Sequence, residues 1–168
     1  YCFNQNNTPL PCYGDPRTLS RIEKVFDYAF NNKAPSSTPN LELIEIKGPF
    51  KVCGIEVIPI EVLHGKLPVL AFRIGDFAYV TDANYINGSN LKKLEGVETL
   101  VIGALRHKPH PTHFNVEQAL EIIEHLKPQK SYLTHIAHEI DHYPTNASLP
   151  KGVELAFDGL TFKTDLNG

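Results

Sequence analysis

Three observations predict a mixed α/β fold. Apolar and polar residues alternate with a period of two between Leu41 and Thr81, Thr99 to Ala104 is a continuous apolar run, and Asn115 opens a helical pattern with a further strand following at Lys130. The early strands are close enough in sequence to pair locally, whereas the later strand, helix, strand order favours a helix packed outside the sheet.

Taken in order, Tyr1 to Gly14 is rich in Asn and Pro and reads as a loop or edge strand, with a short apolar piece around Leu10 to Tyr13. Asp15 followed by Pro16 is a helix start, because the carboxylate can accept from the free amides of the first turn and Pro is tolerated at the first helical position. Leu19, Ile22, Phe26, Ala29 and Phe30 then form one apolar face to about Asn31, and the Pro- and Ser-rich stretch Asn32 to Asn40 reads as a surface loop. Leu41 to Ile46, Phe50 to Cys53 and Ile55 to Leu63 are expected to be consecutive strands of an antiparallel meander. Val69 to Ile74 and Phe77 to Thr81 flank Gly75-Asp76 as a hairpin, on which Arg73 is expected to face outward. Asn90 to Leu94 suggests a short helix, and Thr99 to Ala104 a strand covered on both faces. Asn115 with Gln118 offers a capping box for a helix whose Val116, Ala119, Leu120, Ile123 and Leu126 share a face and which Pro128 stops. Lys130 to Thr134 is the next strand, and Leu155 to Phe157 with Leu160 to Lys163 is expected to close a terminal hairpin around Asp158-Gly159.

The 168 residues are 42% hydrophobic and 21% charged, enough for one domain with a core of its own, and one domain over 1–168 is expected. With Lys and Arg at 16 against Asp and Glu at 19, the net charge of −3 speaks against a phosphate-tracking basic surface, so nucleic acid is disfavoured as a partner. No apolar run is long enough to cross a bilayer, so no membrane partner is expected and a cytoplasmic location is. Three irregularly spaced Cys indicate neither a disulfide framework nor a thiolate zinc site. The sequence opens on Tyr1 and holds no Met, and it is expected to lack its natural beginning.

Three candidate metal ligands each stand at the downstream end of an apolar strand: His64 ends IEVIPIEVLH, Asp82 ends FAYVTD and His135 ends KSYLTH. Strand ends along one rim project into a shared crevice, and imidazole nitrogen with carboxylate oxygen is a donor set for zinc, manganese or iron. Each residue also has a plainer reading, the His as hydrogen-bonded turn residues and the Asp as a helix cap.

The ordered segments VLHGKLPVLAFRIG, YVTDANYI, LRHKPHPTHFNVEQAL and YLTHIAHEID resemble the later motifs of metallo-β-lactamase-fold hydrolases. Among these they are most similar to the branch containing phosphoribosyl cyclic phosphate phosphodiesterase, a relative of transfer-RNA 3′-processing endonucleases. The resemblance runs from LPCYGDPRTL to LAFDGL and implies a four-layer αββα sandwich with a dinuclear centre of two divalent ions, zinc or manganese, or iron. On that pattern His64 binds one ion, Asp82 bridges both, His135 binds the second and His113 is the proton donor near the leaving group. A plain alternative makes His113 a loop residue capping the turn at Asn115. The resemblance places His138 behind the ligands or facing substrate. His107, His110 and His142 match weakly and read as loop residues, with His110 the one closest to a substrate role. Lys66, after Gly65, reads equally as a phosphate-facing cation or a solvated loop charge. Thr134 and Asp141 are candidates to bond to the ligands from behind.

The family signature H-x-H-x-D-H is absent from these 168 residues, so His64, Asp82 and His135 alone do not fill two coordination shells. Weak metal binding and poor activity are therefore expected of this sequence by itself. The implied activity is hydrolysis of a small cyclic phosphate diester. The alternatives are an RNA 3′-end endonuclease of the same fold, or a noncatalytic half domain that covers its open sheet by pairing with a missing segment or as a homo-oligomer.

Overall fold

The computed structural model describes residues 9–30 and 39–164, which divide into two units lying within Tyr1–Pro49 and Phe50–Gly168. The expected loop at 32–40 falls largely outside the described residues.

In the first unit, strand β1 (Leu10–Gly14) leads into helix α1 (Pro16–Val25) and strand β2 (Leu41–Glu45). Asp15 caps α1 by accepting from the amides of Arg17 and Thr18, with Pro16 at the first helical position. The helix stops at Val25, short of the expected Asn31, and Asp27–Ala29 tightens into a single 3₁₀ turn. The expectation that Leu41 to Ile46 begins the antiparallel meander is corrected: β2 pairs in parallel with β1, Leu10 against Leu41 through Gly14 against Glu45. A helix between two strands returns the chain to the same end, which is the condition for parallel pairing.

The second unit is a seven-stranded sheet in sequence order: β3 (Phe50–Val52), β4 (Ile55–His64), β5 (Leu67–Ile74), β6 (Phe77–Val80), β7 (Thr99–Gly103), β8 (Lys130–Thr134) and β9 (Val153–Leu155). The first four strands are antiparallel, joined by tight turns, one of them with Gly75 at φ 55°. From β6 onward the ladders are parallel, because helices α2 (Gly88–Lys92), α3 (Val116–Leu126) and α4 (His142–Ser148) now lie within the connections. All five residues of β7 are buried, as its continuous apolar run predicts. On one face Ile60 and Val62, Ala78 and Val80, Leu100 and Ile102, and Val153 and Leu155 alternate inward, and Val116, Ala119, Ile123 and Leu126 of α3 join the same core. The capping box of Asn115 and Gln118 forms, and Lys127 in the left-handed conformation ends α3 before Pro128.

Two further expectations are corrected. The terminal hairpin does not form. β8 takes Val153–Leu155 as a parallel neighbour, and Phe162 stacks on Tyr132 at 5.1 Å and lies 5.7 Å from Phe77, so its ring is held by aromatic packing where a strand partner was expected. Arg73 is not simply outward: its guanidinium donates to the carbonyl of Gly75 in the β5–β6 turn (2.9 Å) and to those of Lys93 (2.8 Å) and Glu95 (2.7 Å) just past the end of α2.

Candidate metal centre

The site forms where the second unit's strands end. β3 covers β4 only as far as Val57, and near the other end of β4 its uncovered edge pairs with the segment after β6. There Leu63 donates to the Tyr85 carbonyl (2.9 Å) and accepts from the Asn84 amide (2.8 Å), while the Asn90 side chain donates to the Glu61 carbonyl (2.8 Å). These bonds bring the chain just after Asp82 alongside His64. On the other side, Ala104 donates to the Thr134 carbonyl (2.9 Å), Ala137 to Leu105 (2.8 Å) and Phe114 to Ala83 (2.7 Å), tying the loops that carry Asp82, His113 and His135 to one another.

His64 is the last residue of β4, Asp82 follows β6, His135 follows β8, and His113 stands in the loop between β7 and α3. Nε2 of His64 lies 3.1 Å from Nε2 of His113, and Nε2 of His135 lies 3.6 Å from Oδ1 of Asp82. The His113 ring is flanked by His64, His135 and His110, with centroids at 4.6, 4.7 and 5.0 Å. Among the described residues, His64, Asp82 and His113 each offer a ligand atom within 4.8 Å of the others. Two residues of the expected trio, His64 and Asp82, belong to this group together with His113, while His135 stands at its edge, 3.6 Å from Asp82 and ring to ring with His113. Asp82 and His135 both adopt left-handed backbone, with φ of 52° and 58°. For a non-glycine residue this costs about 1–3 kcal/mol and is concentrated at functional sites.

Burial chiefly, and then the neighbouring His135 and His64 with a smaller push from His110, hold the His113 imidazole below its ordinary pKa; Asp82 opposes them. His113 is therefore neutral at neutral pH, and its Nδ1 is buried without a hydrogen-bond partner. Imidazole nitrogens converging on a carboxylate are a donor set suited to a borderline divalent cation, so the residues present fit such an ion.

The remaining candidates are placed as follows. His110 accepts at Nδ1 from the Thr112 amide (3.4 Å) and contacts the Thr112 hydroxyl (3.3 Å). Lys66 and His138 are exposed on loops beside the site and make none of the ring contacts above. His107 pairs with Glu117 at 2.9 Å, and His142 opens α4 instead of lying in a loop. Asp141, expected behind a ligand, is an exposed residue at the N-cap of α4, a correction that follows from the helix starting at His142.

Sequence reasoning missed Asn84. Its Oδ1 accepts from the Gly65 amide (2.6 Å) and its Nδ2 donates to the Pro111 carbonyl (3.2 Å), so one side chain joins the loop after His64 to the loop before His113. Gly65, at φ 67°, passes so near Thr112 that a Cβ would sit 3.0 Å from its Cγ2. Arg106 links the same loop to the one after β8 through Glu139 at 3.0 Å. The only signal in the sequence is the nearness of Asn84 to Asp82.

Residues 3–136 match the sequence model of the β-lactamase superfamily domain. The chain belongs to the β-lactamase superfamily. Its structure is similar to that of a diphosphatase from the PhnP family, at 34% identity and a TM-score of 0.87 over 95% of this chain and 60% of that one. It also resembles the metallo-β-lactamase fold protein YhfI from Bacillus subtilis, at 17% identity and a TM-score of 0.69 over 90% of this chain and 64% of that one, a likeness of fold. A protein of Porphyromonas gingivalis (strain ATCC BAA-308 / W83) named octanoyltransferase is 32% identical over 163 residues, 95% of this chain and 33% of that protein. The chain thus spans a third of the curated relative and 60% of the solved diphosphatase chain. The metallo-β-lactamase fold read from the motifs is the fold of this superfamily member. No described helix is long and apolar enough to cross a membrane.

Proposed function

We propose that this chain carries the metal-dependent centre of a phosphodiesterase acting on a small cyclic or otherwise strained phosphate diester. The observation that carries the proposal is the convergence of His64, Asp82 and His135 from three strand ends with His113 from the loop before α3, with Nε2 of His135 3.6 Å from Asp82 and Nε2 of His113 3.1 Å from that of His64. Likeness to a diphosphatase of the PhnP family supports phosphate-ester chemistry. The octanoyltransferase name belongs to a protein of which this chain matches one third, and it gives no support for acyl transfer here.

His64, Asp82 and His135 would hold divalent ions, two of zinc or manganese, with additional ligands completing their shells. Such ions, when bound, acidify water toward neutral pH and neutralise phosphate oxygens. The chain's own residues do the rest. Asp82 sets a negative charge against the cluster of imidazoles, 3.6 Å from Nε2 of His135. His113 is the proton donor to the departing alkoxide. It is neutral in the free chain, and the negative charge of a bound diester raises its proton affinity where the proton is needed. The loop bonds of Asn84 keep His64 and His113 at contact distance before substrate arrives. A net charge of −3 gives no support for a long RNA substrate.

The test is hydrolysis of bis-p-nitrophenyl phosphate and of an alkyl diester, with metal content measured alongside. His135→Ala is expected to lose both metal and turnover. His113→Ala is expected to keep most of its metal, and to lose turnover far more for the alkyl ester, whose leaving group needs a proton, than for the nitrophenyl ester. Unchanged turnover in His135→Ala, or equal losses on the two esters in His113→Ala, would overturn the assigned roles.

A further inference from the structure

We infer that Arg106, anchored by Glu139, is a positioning residue for His113: it clamps the tip of the loop that carries this imidazole and so sets where its ring stands. The loop runs from the end of β7 to the start of α3 and is closed at its neck by backbone bonds. Leu105 donates to the Phe114 carbonyl (2.9 Å) and Val116 to that of Arg106 (3.0 Å), while Phe114 donates to Ala83 (2.7 Å) and Ala137 to Leu105 (2.8 Å). The tip is held differently. From Lys108 to His113, no backbone amide or carbonyl bonds to the backbone of another described residue. Pro109 and Pro111 have no N–H to offer. Side chains therefore hold the tip. Asn84 takes the Pro111 carbonyl (3.2 Å), and Arg106 takes two more, Nε donating to the Lys108 carbonyl (3.3 Å) and Nη2 to that of Pro109 (3.3 Å).

The third nitrogen of the guanidinium fixes the clamp. Nη1 donates to Oε1 of Glu139 at 3.0 Å, and Glu139 belongs to the loop that follows His135. An isolated ion pair at a surface contributes little. Here, however, the planar fork has each of its nitrogens engaged, and the backbone of Arg106 is itself tied into the neck, so the side chain has one orientation. The segment just ahead of His110 is thereby referred to the loop of His135, as Asn84 refers the segment just ahead of Thr112 to the loop of Asp82. A lysine in place of Arg106 could reach Glu139, but its compact ammonium lacks the rigid fork that spans two successive carbonyls at once. Position matters because displacing a reacting group by about 1 Å can cost on the order of a hundredfold in rate.

The inference rests on the proton-donor reading of His113 for its effect on turnover alone, and two readouts keep them apart. In the ¹⁵N-labelled, metal-free chain, the amides of Lys108, His110, Thr112 and His113 and the ring nitrogens of His113 are compared among the parent, Arg106→Ala, Arg106→Lys, Glu139→Ala and Lys130→Ala. Lys130 pairs with Glu154 at 2.7 Å at the start of β8, the end away from His135, and controls for the loss of an ion pair as such. Both Arg106 variants should move these signals, Glu139→Ala should move them in the same direction by less, and Lys130→Ala should leave them in place. With zinc, both Arg106 variants should keep their metal and lose about tenfold or more in turnover of the alkyl diester, while staying within about threefold of the parent on bis-p-nitrophenyl phosphate, whose leaving group needs no proton. Loop signals that move without this split between esters would keep Arg106 as the clamp and overturn the proton-donor reading. Signals unmoved in Arg106→Ala, moved as far by Lys130→Ala, or restored to the parent's in Arg106→Lys would overturn the inference.

Discussion

Asn84 is the side chain whose removal tests the architecture of the centre most sharply. Asn84→Ala deletes a short bond from the Gly65 amide (2.6 Å) and a longer one to the Pro111 carbonyl (3.2 Å), and leaves the part-buried Gly65 N–H without its acceptor. A net hydrogen bond is worth about 0.5–1.5 kcal/mol and a stranded buried donor costs about 1–3 kcal/mol, so the metal-free chain should lose about 1.5–3 kcal/mol. Asn84→Asp keeps the acceptor for Gly65 but sets a carboxylate oxygen against the Pro111 carbonyl, and should restore only part of the loss. Urea unfolding of the three proteins measures the stabilities, and ring-nitrogen correlations of His64 and His113 report whether the two imidazoles still meet. The alanine variant should show the 3.1 Å pairing loosened, with the ring shifts of both residues moving together. A variant within about 0.3 kcal/mol of the parent, the scatter of an ordinary surface change, with both rings unmoved, would refute the view that Asn84 joins the two loops.

Two other predictions concern pH and capping. Because the pKa of His113 is lowered by folding, chiefly by burial, the unfolded chain binds the proton more tightly, so the metal-free protein loses stability as pH falls from about 6.5 toward the lowered folded value and is unaffected by this group above that range. His113→Gln should flatten that part of a stability-against-pH curve measured in chelator, and an unchanged slope would contradict the assigned neutrality. Asn115→Ala removes the side chain that accepts from the Gln118 amide (2.8 Å) and donates to the His107 carbonyl (3.0 Å). It should lower stability by about 1–2 kcal/mol in the same urea assay, and a loss below a few tenths would show that the cap does not hold α3.

The elements that were legible in the sequence are those whose signals are local. Asp15-Pro16, Gly75-Asp76 and Asn115 with Gln118 each specify a cap or turn through their own side chains or backbone freedom, and each forms. The buried run Thr99 to Ala104 likewise announces a central strand. Pairing partners were less legible. Nothing within Leu41 to Ile46 distinguishes a parallel neighbour of β1 from the first strand of a meander, because alternation fixes the faces of a strand and leaves its edges undetermined. At the C-terminal end, Val153–Leu155 went to β8 and Phe162 to an aromatic stack, a choice made by distant Tyr132 and Phe77. The same division holds at the site. His64, Asp82 and His135 are visible as polar residues ending apolar strands. The seat of His113 among three other imidazoles, the link through Asn84 and the left-handed backbone of Asp82 and His135 are products of tertiary structure, with no pattern of spacing to reveal them.

The most direct measurement is a cobalt(II) titration followed by visible absorption, comparing the parent chain with His64→Ala, Asp82→Asn and Lys66→Ala. The account predicts a saturable ligand-field band for the parent and for Lys66→Ala, since Lys66 is exposed and an ammonium offers no lone pair, and its loss or a weakening of affinity by about tenfold or more in the other two. A band of equal strength and affinity in all four proteins would place the metal elsewhere and contradict the account.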